Sequence, residues 1–231
     1  AFLWRDGVLT EIPPTSGWSS TIAYDLNDSN RVVGALSDDD FNLVAFDWSA
    51  GVLTELPGLV SGGASSATGI NNAGLIVGFA EDTLSGGVAV VWNNRVISKV
   101  PGASSFLFST ATAVNENGRM CGTAFDSSFT SVAWTAFDGE LTTLLTPSGW
   151  DGAETWDIND AGDVAGDAFD ETSFDQVAVV WSGGQASTLE DLGGGYSSAY
   201  GLNNQGQIVG TSDTAQGDTH AVIWQNGLVA D

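Results

Sequence analysis

Five asparagines stand 44 residues apart: Asn27, Asn71, Asn115, Asn159 and Asn203. Five glycines, Gly34, Gly78, Gly122, Gly166 and Gly210, keep the same interval. The alanine that opens each apolar stretch recurs at Ala1, Ala45, Ala89, Ala133, Ala178 and Ala221, with gaps of 44, 44, 44, 45 and 43. A period of this length marks one supersecondary unit per repeat, whose apolar side is covered only by its neighbours. The two irregular gaps place the length changes between Gly166 and Ala221, in loops.

Each period reads as four short strands, A to D. Examples in chain order are Ala67 to Asn71, Leu75 to Phe79, Val88 to Trp92 and Arg95 to Val100. They are β-branched and apolar, and bounded by Gly, Asn, Ser and Asp. No stretch has ten residues of helical periodicity with caps. Between A and B, Asn71-Asn72-Ala73-Gly74 and its counterparts suit a type I turn with a G1 bulge, Asn bonding its own turn and Gly taking the left-handed position. Asn30 replaces that Gly in the first repeat. Between C and D, Asp6-Gly7, Ala50-Gly51, Asp138-Gly139, Gly183-Gly184 and Asn226-Gly227 read as hairpin turns. The strand-B Gly is expected to let a neighbouring Trp lie flat against backbone. The fourth repeat differs, with Ala136 in the Trp slot and Trp134 two residues earlier.

Four antiparallel strands every 40–45 residues predict an all-β fold, a β-propeller of about five four-stranded blades in a single domain, residues 1–231. The repeats run 1–44, 45–88, 89–132, 133–177 and 178–220, with a partial repeat at 221–231. The chain opens on one C–D hairpin and closes on another, so one hairpin is surplus. Three readings follow: the chain is an excerpt of a longer array, the hairpin closes the ring, or it joins a neighbouring molecule.

Charge narrows the partners. Five basic residues face 29 acidic ones, a formal net charge of −24. Such a surface repels phosphate backbones, which argues against nucleic acid, and it disfavours anionic membranes. No apolar run approaches the ~20 residues of a membrane span, so no membrane insertion is expected. One cysteine, Cys121, excludes an internal disulfide and reads as a buried strand residue. Scarce Cys and Lys fit an exported protein.

Two loop sets carry candidate sites. The B–C loops hold acids: Asp38, Asp39 and Asp40, then Asp167, Asp170 and Asp175, are the candidate calcium ligands, since hard cations need several oxygens. The alternative is a solvated acidic rim. The D–A loops hold Trp18, Phe106 and Trp150, each nine residues before its repeat Asn, and Tyr196, seven before. Aromatics beside carboxylates suit carbohydrate, or else they pack between blades. No cofactor is required. Catalysis has little material: one His, His220, and one Cys exclude most triads and a His/Cys zinc site. Of carboxylate pairs, Asp25 and Asp157 are the pair to test for glycoside hydrolysis.

The phrases "AFLWRDGVLTEI", "SSAYGLNNQGQIVG" and "HAVIWQNGLV" resemble HAF-repeat proteins, bacterial extracellular repeat proteins named for a His-Ala-Phe triplet. The resemblance spans the chain. The triplet's His survives only at His220, with Val44, Val88, Val132 and Val177 elsewhere. It implies secretion or surface display, and no catalytic residue. The expected role is a non-enzymatic extracellular module for binding or scaffolding; the alternatives are a filament subunit that assembles head to tail and a glycoside hydrolase.

Overall fold

A computed structural model describes residues 1–84 and 86–231. The chain is all-β. A two-stranded sheet, β1 (Phe2–Arg5) and β2 (Val8–Glu11), precedes five four-stranded antiparallel sheets. The first is β3 (Ser20–Leu26), β4 (Val32–Ser37), β5 (Leu43–Ser49) and β6 (Val52–Glu55). The second is β7 (Ser65–Ile70), β8 (Ile76–Asp82), β9 (Gly86–Asn93) and β10 (Val96–Lys99). The third is β11 (Phe108–Val114), β12 (Met120–Phe125), β13 (Ser131–Phe137) and β14 (Glu140–Thr143). The fourth is β15 (Gly152–Ile158), β16 (Val164–Phe169), β17 (Gln176–Ser182) and β18 (Gln185–Thr188). The last is β19 (Gly193–Leu202), β20 (Ile208–Thr214), β21 (Thr219–Gln225) and β22 (Leu228–Ala230). Each sheet follows chain order, and the surplus hairpin lies at the N-terminal side. The chain divides into two compact units, Ala1–Glu116 and Asn117–Asp231.

The repeated asparagine does two jobs. Its Oδ1 accepts amides of its own turn: Asn27 from Ser29 and Arg31, both at 3.1 Å, and Asn203 from Gln205 and Gln207 at 2.9 and 3.0 Å. Its Nδ2 donates to the carbonyl of the next repeat's asparagine. Those bonds run Asn27 to Asn71 (3.1 Å) and Asn71 to Asn115 (3.0 Å) in the first unit, and Asn159 to Asn203 (3.3 Å) in the second. The fourth turn residue is left-handed throughout, from Asn30 (φ 56°) to Gly206 (φ 74°). The C–D turns have positive φ at both central residues, the type I′ geometry that matches strand twist. Asn94-Arg95 joins that set, although its second residue is not glycine.

Strand A carries a bulge at Tyr24, Thr68, Trp156 and Tyr200, where two residues oppose one on strand B. The strand-B glycine is explained there. A Cβ on Gly34, Gly78, Gly166 or Gly210 would come within 1.9–2.0 Å of a strand-A carbonyl oxygen. The expected contact with a ring is secondary: Trp224 is met at 2.9 Å from Gly210, and Phe46, not a Trp, at 2.9 Å from Gly34.

Buried groups tie one sheet to the next. The amides of Ala45, Ala89 and Ala178 donate to the hydroxyls of Ser65, Ser109 and Ser197, all at 3.0 Å. The indoles of Trp92 and Trp181 donate to the carbonyls of Pro57 and Leu145, both at 2.8 Å, so their polar edges are satisfied inside the core. Trp134 stands opposite Gly122, the register position that Phe46 and Val90 occupy in their own sheets, and Ala136 stands opposite Met120. In the first unit, buried Asp47 takes a bidentate pair from Arg31 (2.6 and 2.8 Å) and a further bond from Arg95 (3.1 Å). Replacing Asn71 by Ala removes both the turn cap and the bond to Asn115. Asn71→Ala is expected to lower stability by about 2 kcal/mol in urea unfolding, the sum of a lost cap and a lost buried bond.

Candidate functional site

The strand-A bulge turns one residue per repeat outward. In the second unit these are Trp156 and Tyr200, 41% and 50% exposed. Their rings meet edge to face, with centroids 5.9 Å apart and planes at 66°. One edge of Trp156 is fixed, because its Nε1 donates to Asp167 Oδ2 at 2.7 Å. Asp167 is only 3% exposed and also accepts from Ser198 Oγ (2.8 Å) and the Ala199 amide (3.0 Å). The carboxylate thus binds β16 to β15 and β19 while holding the indole still.

Burial pushes the Asp167 carboxyl up to about 6, against the lowering effect of its three donors; Glu154 adds repulsion. Asp157, beside Trp156 in sequence, is also raised by burial, although the amides of Ile158 (2.8 Å) and Leu202 (3.0 Å) stabilise its charge. Tyr196 borders the group. Its hydroxyl bonds Gln176 Oε1 at 3.2 Å, and its own ionisation is raised by burial and by the neighbouring charges of Tyr200, Asp167 and Asp213.

Of the sequence-derived candidates, Tyr196, Asp167 and Asp157 meet at this site, Asp167 as the brace of an indole and not as one of a group of metal ligands; the others fall elsewhere. Trp18 is half-buried, donates to Glu55 Oε1 at 2.8 Å and packs on Ile12, Phe46 and Trp48. Phe106, after a 3-10 turn at Ala103–Ser105, and Trp150 are half-buried. Among the acids, Asp167 lies inside β16 instead of a loop. Asp38 accepts from Asn42 and from the amides of Asp40 and Asn42, which hold its carboxyl below the usual range. Asp39 accepts from Ser19 at 2.5 Å, while Asp40 is exposed. Asp170 caps its turn through the amides of Thr172 and Ser173, and Asp175 accepts from Ser173 Oγ at 2.7 Å. Among the described residues, no three His, Cys, Asp or Glu side chains converge to hold a metal ion.

Asp25 and Asp157 fill equivalent positions and do equivalent work. Asp25 accepts the Leu26 amide (2.7 Å) and the Ile70 amide (2.8 Å), as Asp157 accepts those of Ile158 and Leu202. Each bonds its own strand and the strand A of the following repeat. Trp156 and Tyr200 were missed by reading loops alone, yet they lie 44 residues apart and share their slot with Tyr24. Period-matching of strand-A aromatics would have found them.

Comparison with solved structures defines the class. The puromycin-hydrolyzing peptidase of Mycobacterium tuberculosis aligns over 97% of this chain and 39% of its own, at 13% identity and a TM-score of 0.63. The β-propeller domain of the Trilobed protease from Pyrococcus furiosus aligns over 96% of this chain and 71% of its own, at 13% identity and 0.60. TolB from Acinetobacter baumannii aligns over 91% and 56%, at 13% and 0.57. The chain therefore spans well under half of the peptidase. At these identities the likeness is one of fold: the chain is built of β-propeller blades. Residues 8–178 match the family described as Protein of unknown function (DUF3466), and the chain belongs to it. No curated protein matches the sequence.

Protonation gives the site a measurable signature. The folded state holds Asp167's proton up to a pH near 6, the unfolded chain only to the ordinary value of 3.8. Its contribution to stability is therefore full below about pH 4 and is lost as pH rises through 6. Asp167→Asn is expected to remove that part of the pH dependence in unfolding experiments, and the Trp156 emission change with a midpoint near 6 should go with it.

Proposed function

We propose that this chain is a non-enzymatic extracellular binding module and that it takes carbohydrate on the Trp156–Tyr200 platform. The carrying observation is a half-exposed indole locked at its polar edge by a buried carboxylate. A ring fixed before binding loses little freedom on contact, so stacking on the apolar face of a sugar is retained as affinity. Tyr200 supplies the second wall, and the hydroxyls of Tyr196 and Tyr200 can bond sugar hydroxyls. Asp167 has both oxygens occupied and is buried, which suits a positioning role better than proton transfer to a glycosidic oxygen. The likeness to HAF-repeat proteins supports export to the cell exterior. The expected result is a hit among neutral or basic glycans on an array, since anionic ones meet a repelling surface. Trp156→Ala should weaken the best hit about tenfold in titration, the loss of roughly one stacking contact. An array with no hit would sink the carbohydrate assignment.

A second reading, self-assembly, has its own observation. Trp4 occupies the slot of Trp48, Trp92, Trp181 and Trp224, all buried, but is 65% exposed. Among the described residues, strand β1 pairs with β2 alone, where strands C and D of the other sheets are continued by A and B. An open edge beside an uncovered indole invites strand addition. Light scattering at rising protein concentration in 0.5 M salt, which screens the acidic surface, should show growth that Trp4→Ser abolishes; a constant monomer mass would end this reading.

A further inference from the structure

Three phenylalanines sit where the backbone favours glycine. Phe41, Phe129 and Phe174 have φ of 62°, 63° and 62° and are 86%, 76% and 84% exposed. Each occupies the same place in its B–C turn. Their amides donate back to Asp38, Asp126 and Asp170 at 3.2, 3.0 and 3.0 Å. The last repeat builds the equivalent turn with Gly217 at φ 88°, its amide on Thr214 at 2.9 Å. A left-handed conformation is unfavourable for a bulky side chain, and so is an aromatic ring in water. Neither is needed to close the turn, as Gly217 shows.

The turns are placed together within each unit. In the second unit the A–B turns are tied to one another by Asn117 to Asp160 (3.0 Å) and Asn159 to Asn203 (3.3 Å). Strand B runs from there for six residues in β12 and β16, about 20 Å. Phe129 and Phe174 therefore project from the opposite end. In the first unit, Phe41 and Leu84, the latter 90% exposed, stand at the corresponding end.

Charge at that end of each unit has one sign. Asp38, Asp39 and Asp40 flank Phe41; Asp170, Glu171 and Asp175 flank Phe174; Asp126 precedes Phe129. The bases lie away from these tips or are engaged. Arg31 and Arg119 follow A–B turns, Arg5 and Arg95 border C–D turns, and Lys99 is paired with Asp82.

We propose that in each unit these turn tips are docking points for a cationic polypeptide segment, one that presents Lys or Arg beside aliphatic side chains. A guanidinium or ammonium over an exposed ring, with carboxylates next to it, satisfies both features at once. The acids repel anionic lipid and nucleic acid, which removes those partners. The surface shares no residue with the Trp156–Tyr200 platform, so the two assignments stand or fall separately.

The test uses the whole chain and the variant Phe41→Gly/Phe129→Gly/Phe174→Gly, which copies the last repeat. The probes are a labelled peptide of alternating Lys and Leu, polylysine of equal length, and phosphatidylcholine vesicles, all at 0.15 M salt. The variant is expected to keep or raise its Tm, by up to about 4 °C, while its affinity for the Lys-Leu peptide falls about tenfold. Its affinity for polylysine should fall less, because that polymer loses only the ammonium–ring contact and makes no aliphatic one. Equal affinity of both proteins for the Lys-Leu peptide would overturn the proposal, leaving charge alone. So would failure of the native chain to bind that peptide, or vesicle binding that only the native chain shows.

Discussion

One side-chain amide sets the geometry of the repeats. The asparagine at the A–B turn closes its own turn with its oxygen and reaches the next repeat's asparagine with its nitrogen. The second bond needs the same residue at the same height in consecutive sheets. Within each unit that requirement is met at a spacing of 44 residues, the interval kept by the asparagines from Asn27 to Asn203. The alanine spacing drifts by one residue beyond Asn159, and the longer fourth-repeat turn carries the change: Phe174 donates to a residue four before it, where Phe41 and Phe129 reach three. Length varies where no such bond constrains it.

What could be read without coordinates was local. The G1-bulge and type I′ turns follow from Asn and Gly at fixed offsets, because the conformational cost lies within the residue itself. The asparagine's bond to its neighbour is not local, and only its turn-closing half was legible. The strand-A bulge was hidden for the same reason: nothing in Thr-Trp-Asp or Ala-Tyr-Gly states that two residues will oppose one. That bulge reassigns the aromatics, so Trp156 and Tyr200 face outward while Trp18 packs against Ile12 and Trp48. It also changes why Gly210 is a glycine, from making room for a ring to making room for a carbonyl.

The surplus of acid is not only a solvated coat. Asp47, Asp157 and Asp167 are drawn inside, and with Asp25 they connect adjacent strands or sheets. With few bases available, three of these four carboxylates take backbone amides as donors, and Asp47 takes arginines. A backbone amide carries no net charge, so such ties persist at the salt that would loosen a surface ion pair, while the carboxylate end still titrates, Asp167 at about 6. Placing one of them under Trp156 converts a structural connector into the brace of an exposed ring.

The two ends of each sheet are held differently, and fraying should follow that polarity. At the asparagine end the turns lean on one another within each unit, Asn27 on Asn71 and Asn71 on Asn115, Asn159 on Asn203, so opening one means opening its neighbours. At the phenylalanine end the turns close on themselves or on the loop that enters their own sheet, as Asp39 does with Ser19 and Glu171 with Asp151. Amide protons along a single strand should then exchange on a gradient, slowest beside the asparagines, and the mobile rims would be those that carry the aromatic tips.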